Sequence, residues 1–214
     1  MKIGILGSGV VAQTLGEGFL KHGYEVMLGT RNPQKLNEWN SNKGKAAVIG
    51  TFEESAKFGE LIVLAVSGKA AEIVLELSGA TNLVGKTVID AANPIAELPP
   101  VNGVLQYFTE QNSSLMEVLQ NKFVESNFVK AFNSIGSGFM VNPDFAGVKP
   151  TMFIAGNSDK AKAEVKVILD IFGWESEDMG MVESARPIEA LCMLWCIPGF
   201  RENKWAHAFK LLKK

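Results

Sequence analysis

The sequence predicts an α/β fold built on a doubly wound, mostly parallel sheet, and three features carry that prediction. Short apolar segments alternate with amphipathic ones along the chain. The apolar segments are continuous rather than alternating. The first of them runs directly into a glycine turn that opens a helix. Strand and helix in alternation mark βαβ units, and strands covered by helices on both faces lose the polar half of their pattern.

The strand segments fall at Lys2–Leu6, Glu25–Gly29, Ala47–Val48, Leu61–Val66, Thr87–Asp90, Asn127–Ala131, Thr151–Ala155 and Glu175–Asp178. The first helix spans Val10 to Lys21 and stops at Gly23, a residue suited to the left-handed turn past a helix end. Asn32-Pro33 reads as an N-cap with proline in the first helical position. Thr51–Glu54 and Ser114–Glu117 have the capping-box spacing. Ser158 opens a helix whose Val165, Ile168, Leu169 and Phe172 share one face, with Gly173 as its stop. Two terminal helices, Pro187–Trp195 and Asn203–Leu212, are expected on either side of a break at Pro198-Gly199. Residues 97–113 form the least regular stretch, a loop long enough to suggest a functional role. No repeat or long linker divides the chain, so one domain over 1–214 is expected, with a C-terminal helical segment from about 182 to 214.

Composition removes several function classes. A net charge of -2 over 214 residues provides no field for nucleic acid or an anionic membrane. The longest apolar run, Leu61–Val66, is a strand's length rather than a membrane span, and the start lacks a signal-peptide core. The expectation is a cytoplasmic protein. Its two cysteines, Cys192 and Cys196, form no disulfide framework and no metal cluster; they read as buried thiols on a core-facing helix.

The opening Lys2–Ala12 carries the chemistry. Gly7, Gly9 and Ala12 match G-x-G-x-x-A between a strand and a helix, the context this motif requires. Gly7 permits the tight turn, Gly9 admits a pyrophosphate to the backbone, and Ala12 packs the helix on the strand. The helix N-terminus faces the phosphates with free N–H groups. This is a Rossmann-type dinucleotide site. An NAD enzyme usually ends its second strand in an acid that binds the ribose hydroxyls. Here Gly29, Thr30, Arg31, Asn32 and then Lys35 stand instead: a hydroxyl, a bidentate guanidinium and a point charge, all suited to a 2′-phosphate. NADP is therefore favoured. The later strand ends, Ala65-Val66-Ser67 and Asp90–Pro94, finish the crevice.

These residues resemble the NADPH-dependent coenzyme F420 reductases and their bacterial relatives, whose nucleotide-binding module is also similar to the cytoplasmic domain of STEAP metalloreductases. The resemblance covers nearly the whole chain. It rests on GSGVVA at Gly7–Ala12, GTRNPQK at Gly29–Lys35, VLAV at Val63–Val66 and DAANP at Asp90–Pro94. It continues in VKAFNSIGS at Val129–Ser137, IAGNSDKAK at Ile154–Lys162, SARPIEALCMLW at Ser184–Trp195 and AFKLL at Ala208–Leu212. The resemblance implies hydride transfer between NADPH and a flat acceptor, F420 or a flavin, stacked on the nicotinamide. Carried over by position, it implies pyrophosphate binding at Gly7, Ser8, Gly9, Val10 and Val11. It implies 2′-phosphate binding at Thr30, Arg31, Asn32 and Lys35. Ala65, Val66, Ser67, Ala91, Asn93 and Pro94 would line the path to the nicotinamide, with Asn133 at the wall of the acceptor pocket. Some F420-linked members have His-Thr-Ile-Pro where this chain has Asn133–Gly136, so the acceptor itself does not carry over.

No catalytic side chain is expected. Reduction of a carbonyl or imine usually needs a placed proton donor, whereas transfer to a flavin-like ring needs mainly orientation. His22 reads as a helix-end residue, and His207 as a residue of the last helix, at its surface or at a subunit contact. Neither is expected to matter for turnover, nor is Lys130, whose strand position argues against an acid's role. An imine or hydroxy-acid reductase and a non-catalytic NADP(H) sensor stand as the alternative readings. The expected partners are a small-molecule electron acceptor and a second copy of the chain. The segment Met193–Phe200, with Trp205 and Phe209, is too apolar for a terminal surface helix.

Overall fold

A computed structural model describes all residues from Met1 to Lys214. Six strands, β1 (Lys2–Leu6), β2 (Glu25–Gly29), β3 (Val48–Gly50), β4 (Leu61–Leu64), β5 (Thr87–Asp90) and β6 (Asn127–Lys130), form one parallel sheet in the order β3-β2-β1-β4-β5-β6. The order reverses between β1 and β4, and open α/β sheets bind ligands outside the carboxyl ends of the strands at such a switch point. A second parallel pair, β7 (Thr151–Ile154) and β8 (Glu175–Asp178), meets the main sheet through a bridge between Lys130 and Ala155. No helix is long and apolar enough to cross a membrane.

Burial explains why the strand segments read as continuous apolar runs. In β4, Leu61 and Val63 enter one core while Ile62 and Leu64 enter the other, the period of two that a strand imposes. The first core holds the inner faces of α1 (Val10–Lys21) and α6 (Asp159–Ile171); the second holds α3 (Phe52–Phe58), α4 (Gly68–Ser78) and α5 (Leu115–Lys122). Thr51 caps α3 with a complete capping box, accepting from Glu54 N at 3.1 Å while the Glu54 carboxylate accepts from Thr51 N at 2.7 Å. Ser114 forms only half of one. Its hydroxyl accepts from Glu117 N, but the Glu117 carboxylate turns to Arg186 instead of the Ser114 N–H. Asn32 precedes a short 3₁₀ turn, Pro33–Leu36, without a side-chain cap, and a one-and-a-half-turn helix, α2 (Asn37–Asn42), follows. Strand ends differ slightly from expectation: β3 begins at Val48, β4 ends at Leu64, β6 at Lys130 and β7 at Ile154.

The C-terminus departs most from expectation. A single helix, α7, runs from Ala185 to Glu202 straight through Pro198. Proline removes one N–H, but its fixed φ is helical, and the chain tolerates the lost bond here. Gly199 is not the stop it resembles. A Cβ there would lie 2.3 Å from Trp205, so the glycine makes the seat on which Trp205 rests. Asn203, at φ 53°, ends the helix in the left-handed region. Residues 203–214 are then irregular rather than helical. They run back along β7, where Thr151 N donates to Phe209 O at 2.9 Å and Leu211 N donates to Thr151 Oγ1 at 3.1 Å. His207 therefore sits on this strap, not on a helix. Its ring stacks on Trp195 at 4.9 Å between centroids, its Nε2 lies 2.9 Å from Trp195 O, and Trp195 Nε1 donates to His207 O at 2.9 Å. His22 ends α1 as expected, its ring tilted against that of Phe172 at 5.4 Å between centroids.

Candidate functional site

The turn after β1 shapes the site. Gly7 has φ 144°, outside the range of L side chains, and a Cβ there would lie 2.2 Å from Ala65 O at the end of β4. Both facts demand glycine, and together they bring the β1 and β4 ends close. Gln13 Nε2 donates to Ser8 O at 2.9 Å and fixes the loop from the first turn of α1. Gly9 leaves open space where a Cβ would stand. No acid occupies the first turn of α1, so its N–H groups and dipole are free for an anion.

A cleft of about 790 Å³ opens above these strand ends. Its lining includes Gly7, Ser8, Gly9, Val10 and Val11 from the first turn, and Thr30, Arg31, Asn32 and Lys35 after β2. Ala65, Val66, Ser67 and Ala91 follow β4 and β5. The structure thus brings these sequence-predicted residues together. Thr30 is buried, and its Oγ1 accepts from Asn32 N at 3.1 Å, a local turn that leaves Arg31 and Lys35 exposed at the cleft's edge. Arg31 and Lys35 are the only charged residues of the lining, and no acid faces them there.

Three lining residues escape a motif-based reading: Phe52 at the start of α3, and Ala70 and Val74 on one face of α4. They are apolar and belong to no signature. The spacing of 70 and 74 on the helix after a crevice strand is the signal that points to them. Three others depart from expectation in the opposite sense, because Asn93, Pro94 and Asn133 lie beside the cleft rather than in its lining. The reason is that the two asparagines bind each other: Asn93 Nδ2 donates to Asn133 O at 2.8 Å, and Asn133 Nδ2 donates to Asn93 Oδ1 at 3.2 Å and to Ile188 O at 2.8 Å. Asn133 is buried and its Oδ1 has no partner. Phe132 just before it sits at φ 62°, a strained conformation for a bulky residue that typically costs about 1–3 kcal/mol. Complete burial of the Phe132 ring against Phe172 opposes that strain.

Lys130 lies in its strand as expected, but with partners that its strand position does not reveal. It is fully buried, and its ammonium is bound by Asp90, Glu189 and the Ala92 carbonyl. Burial pushes its pKa down, but the two carboxylates more than offset that and hold it above the ordinary lysine value. Held this way, the ammonium keeps its protons. Nor is its substitution innocuous, since removing one member of a buried ion cluster costs about 3–5 kcal/mol. Cys192 and Cys196 are buried on α7 beside Tyr107, in a third apolar cluster with Leu105 and Trp195. Burial and the neighbouring thiol Cys192 push the Tyr107 hydroxyl well above the usual phenol range, and it donates to Glu189 O.

A dinucleotide crevice at the switch point, with two unopposed cations where an NAD enzyme keeps an acid, defines an NADP-dependent oxidoreductase of Rossmann type. The chain belongs to the family of coenzyme F420-dependent NADP oxidoreductases, whose family model matches residues 2–94. It overlays a crystal structure from Arthrobacter sp. FB24, provisionally described as an F420-dependent NADP reductase, with a TM-score of 0.92 and 30% identity over 100% of both chains. It is 29% identical to metalloreductase STEAP3 of Rattus norvegicus over 190 residues, 89% of this chain and 36% of that protein. The chain therefore spans about a third of the length of the curated relatives it matches. A reductive aminase of Aspergillus terreus in complex with NADPH and ethyl-5-oxohexanoate shares the fold, with a TM-score of 0.67 and 16% identity over 93% of this chain and 62% of that one.

Proposed function

We propose that the protein transfers hydride between NADPH and a flat, flavin-like or F420-like acceptor that stacks on the nicotinamide. The pyrophosphate lies on Gly7–Val11 at the α1 N-terminus. The 2′-phosphate meets Arg31 and Lys35, with Thr30 and Asn32 shaping the loop that carries them. The adenine side rests against Phe52, Ala70 and Val74, and the nicotinamide lies beyond Val66, Ser67 and Ala91. Asn93, Pro94 and Asn133 support that end from behind.

One observation carries this reading: the cleft has no ionisable side chain except the two cations at its phosphate edge. An imine or carbonyl reductase needs a proton donor beside the nicotinamide, worth roughly 10²–10⁴ in rate. A ring that accepts hydride into its own conjugated system needs orientation instead. The test is NADPH oxidation against a panel of F420, FMN, FAD, ferric citrate, a cyclic imine and a 2-oxo acid. Turnover confined to the flavin-like acceptors supports the proposal. Turnover with the imine or the oxo acid refutes it, and binding of NADPH without turnover of any acceptor makes the protein a sensor. We further propose a homodimer formed through the exposed Leu194, Phe200 and Trp205 around the end of α7.

A further inference from the structure

The nicotinamide end of the cleft is backed by a charged cluster that reaches neither the cleft nor solvent. Lys130 closes β6, and its partner in the parallel register is Asp90, which closes β5. The ammonium donates to Asp90 Oδ2 at 2.6 Å and to Ala92 O at 3.0 Å, and it forms an ion pair with Glu189 Oε1 at 2.7 Å. Three oxygens thus surround the ammonium, as many as lysine has N–H donors. The other Asp90 oxygen accepts from Ala92 N at 2.9 Å. The main chain of Ala92 is thus held at both its polar groups. On one side of it is Ala91, which lines the cleft, and on the other is Asn93, locked to Asn133.

Glu189 extends the cluster to α7 and α5. Its Oε2 accepts from Leu115 N at 2.9 Å and its Oε1 from Met116 N at 3.1 Å, at the start of α5. Buried ion clusters contribute little net stability compared with apolar packing of the same volume. What they supply is direction, because each bond fixes an angle as well as a distance. Three of this cluster's directed bonds converge on one short turn, Asp90 to Asn93.

We propose that Lys130 is a positioning residue. It holds the Ala91–Asn93 turn at the height that seats the nicotinamide ring, and it couples that height to α7 through Glu189. The proposal rests on the reading of the cleft as the NADPH site. Lys130 touches neither cofactor nor acceptor and acts only through the turn.

Lys130→Met alone would leave two buried carboxylates facing each other and is expected to fold poorly. The informative variant combines Asp90→Asn with Lys130→Met. It removes one charge of each sign, keeps a side-chain oxygen for the Ala92 N–H, and leaves Glu189 on the two α5 amides. Three quantities are measured: NADPH affinity by calorimetry, the emission of the bound dihydronicotinamide, and the melting temperature. The phosphate contacts are untouched, so Kd should stay within about twofold of wild type, as expected for distant, independent sites. The emission per bound NADPH should lose most of the difference that binding produces in wild type, reporting a ring no longer seated. A lower melting temperature with wild-type emission per bound NADPH would make Lys130 merely structural and overturn the proposal. Failure of the cleft reading itself is seen separately, as an Arg31→Ala variant that binds NADPH as tightly as wild type.

Discussion

Arg31→Ala is the perturbation that bears most directly on cofactor choice. Arg31 and Lys35 are the only charges lining the cleft, and both are exposed. A hydrogen bond to a charged group contributes about 1.5–3 kcal/mol. Exposure and mobile ions pull the Arg31 contact toward the low end. The expected loss is about 1.5–2 kcal/mol, a rise of roughly 12- to 30-fold in the Kd for NADPH. Lys35→Ala removes a point charge without the bidentate fork, so its loss should be smaller. NADH has no 2′-phosphate, and its Kd should change by less than about twofold in both variants. Calorimetric titrations of both cofactors against both variants, at low and high salt, make the comparison. The preference of wild type for NADPH should shrink as salt rises. Equal losses for NADPH and NADH, or a salt-independent preference, would refute the reasoning.

Other expectations follow from the same geometry. Gly7→Ala places a methyl 2.2 Å from Ala65 O at φ 144°. It should abolish measurable NADPH binding while the purified variant still melts cooperatively, and wild-type affinity would contradict the role given to that turn. Gly136→Val pushes against Trp195, only 3.1 Å from the position of a Cβ, so it should displace the 203–214 strap and lower the melting temperature. An unchanged melt would show the strap to be loosely held. Tyr107 has a folded pKa above its unfolded value, so the stability it contributes is fully present below about pH 10 and is lost as pH rises further. Tyr107→Phe should therefore flatten the alkaline fall in stability, read as urea midpoints across that range; identical profiles would contradict the assignment. Phe200→Glu should yield a monomer by light scattering, and a monomeric wild type at micromolar concentration would remove the dimer.

Much of the fold and cleft is legible in the sequence because local chemistry and tertiary context agree there. Lys2–Leu6, Glu25–Gly29 and Val10–Lys21 have the predicted bounds, since their apolar pattern, glycine turn and burial all require the same backbone. The cleft residues around Gly7 and Arg31 are equally readable, because phosphate binding needs recognisable residue types at fixed spacing. Phe52, Ala70 and Val74 are not, because an apolar wall has no signature of its own. At the C-terminus the local signals point the wrong way: Pro198-Gly199 reads as a break, yet Trp205 folding back onto Gly199 continues the helix past it. Lys130 is legible only in part. Its place in an apolar strand argues against an acid's role, but only the β5–β6 register, which sets it beside Asp90, marks it as a buried node.

The central claim is that NADPH bound in this cleft gives its hydride directly to a flat acceptor, with no ionisable side chain taking part. NADPH carrying deuterium at C4 of the nicotinamide, on one face at a time, tests it with F420, whose accepting carbon retains the label. The account predicts that deuterium from one face alone passes to the F420 ring in a one-to-one ratio with the NADPH oxidised, and that Arg31→Ala slows this only through weaker NADPH binding. NADPH oxidation that leaves F420 and free flavins unlabelled and proceeds only with an imine or carbonyl substrate would contradict it.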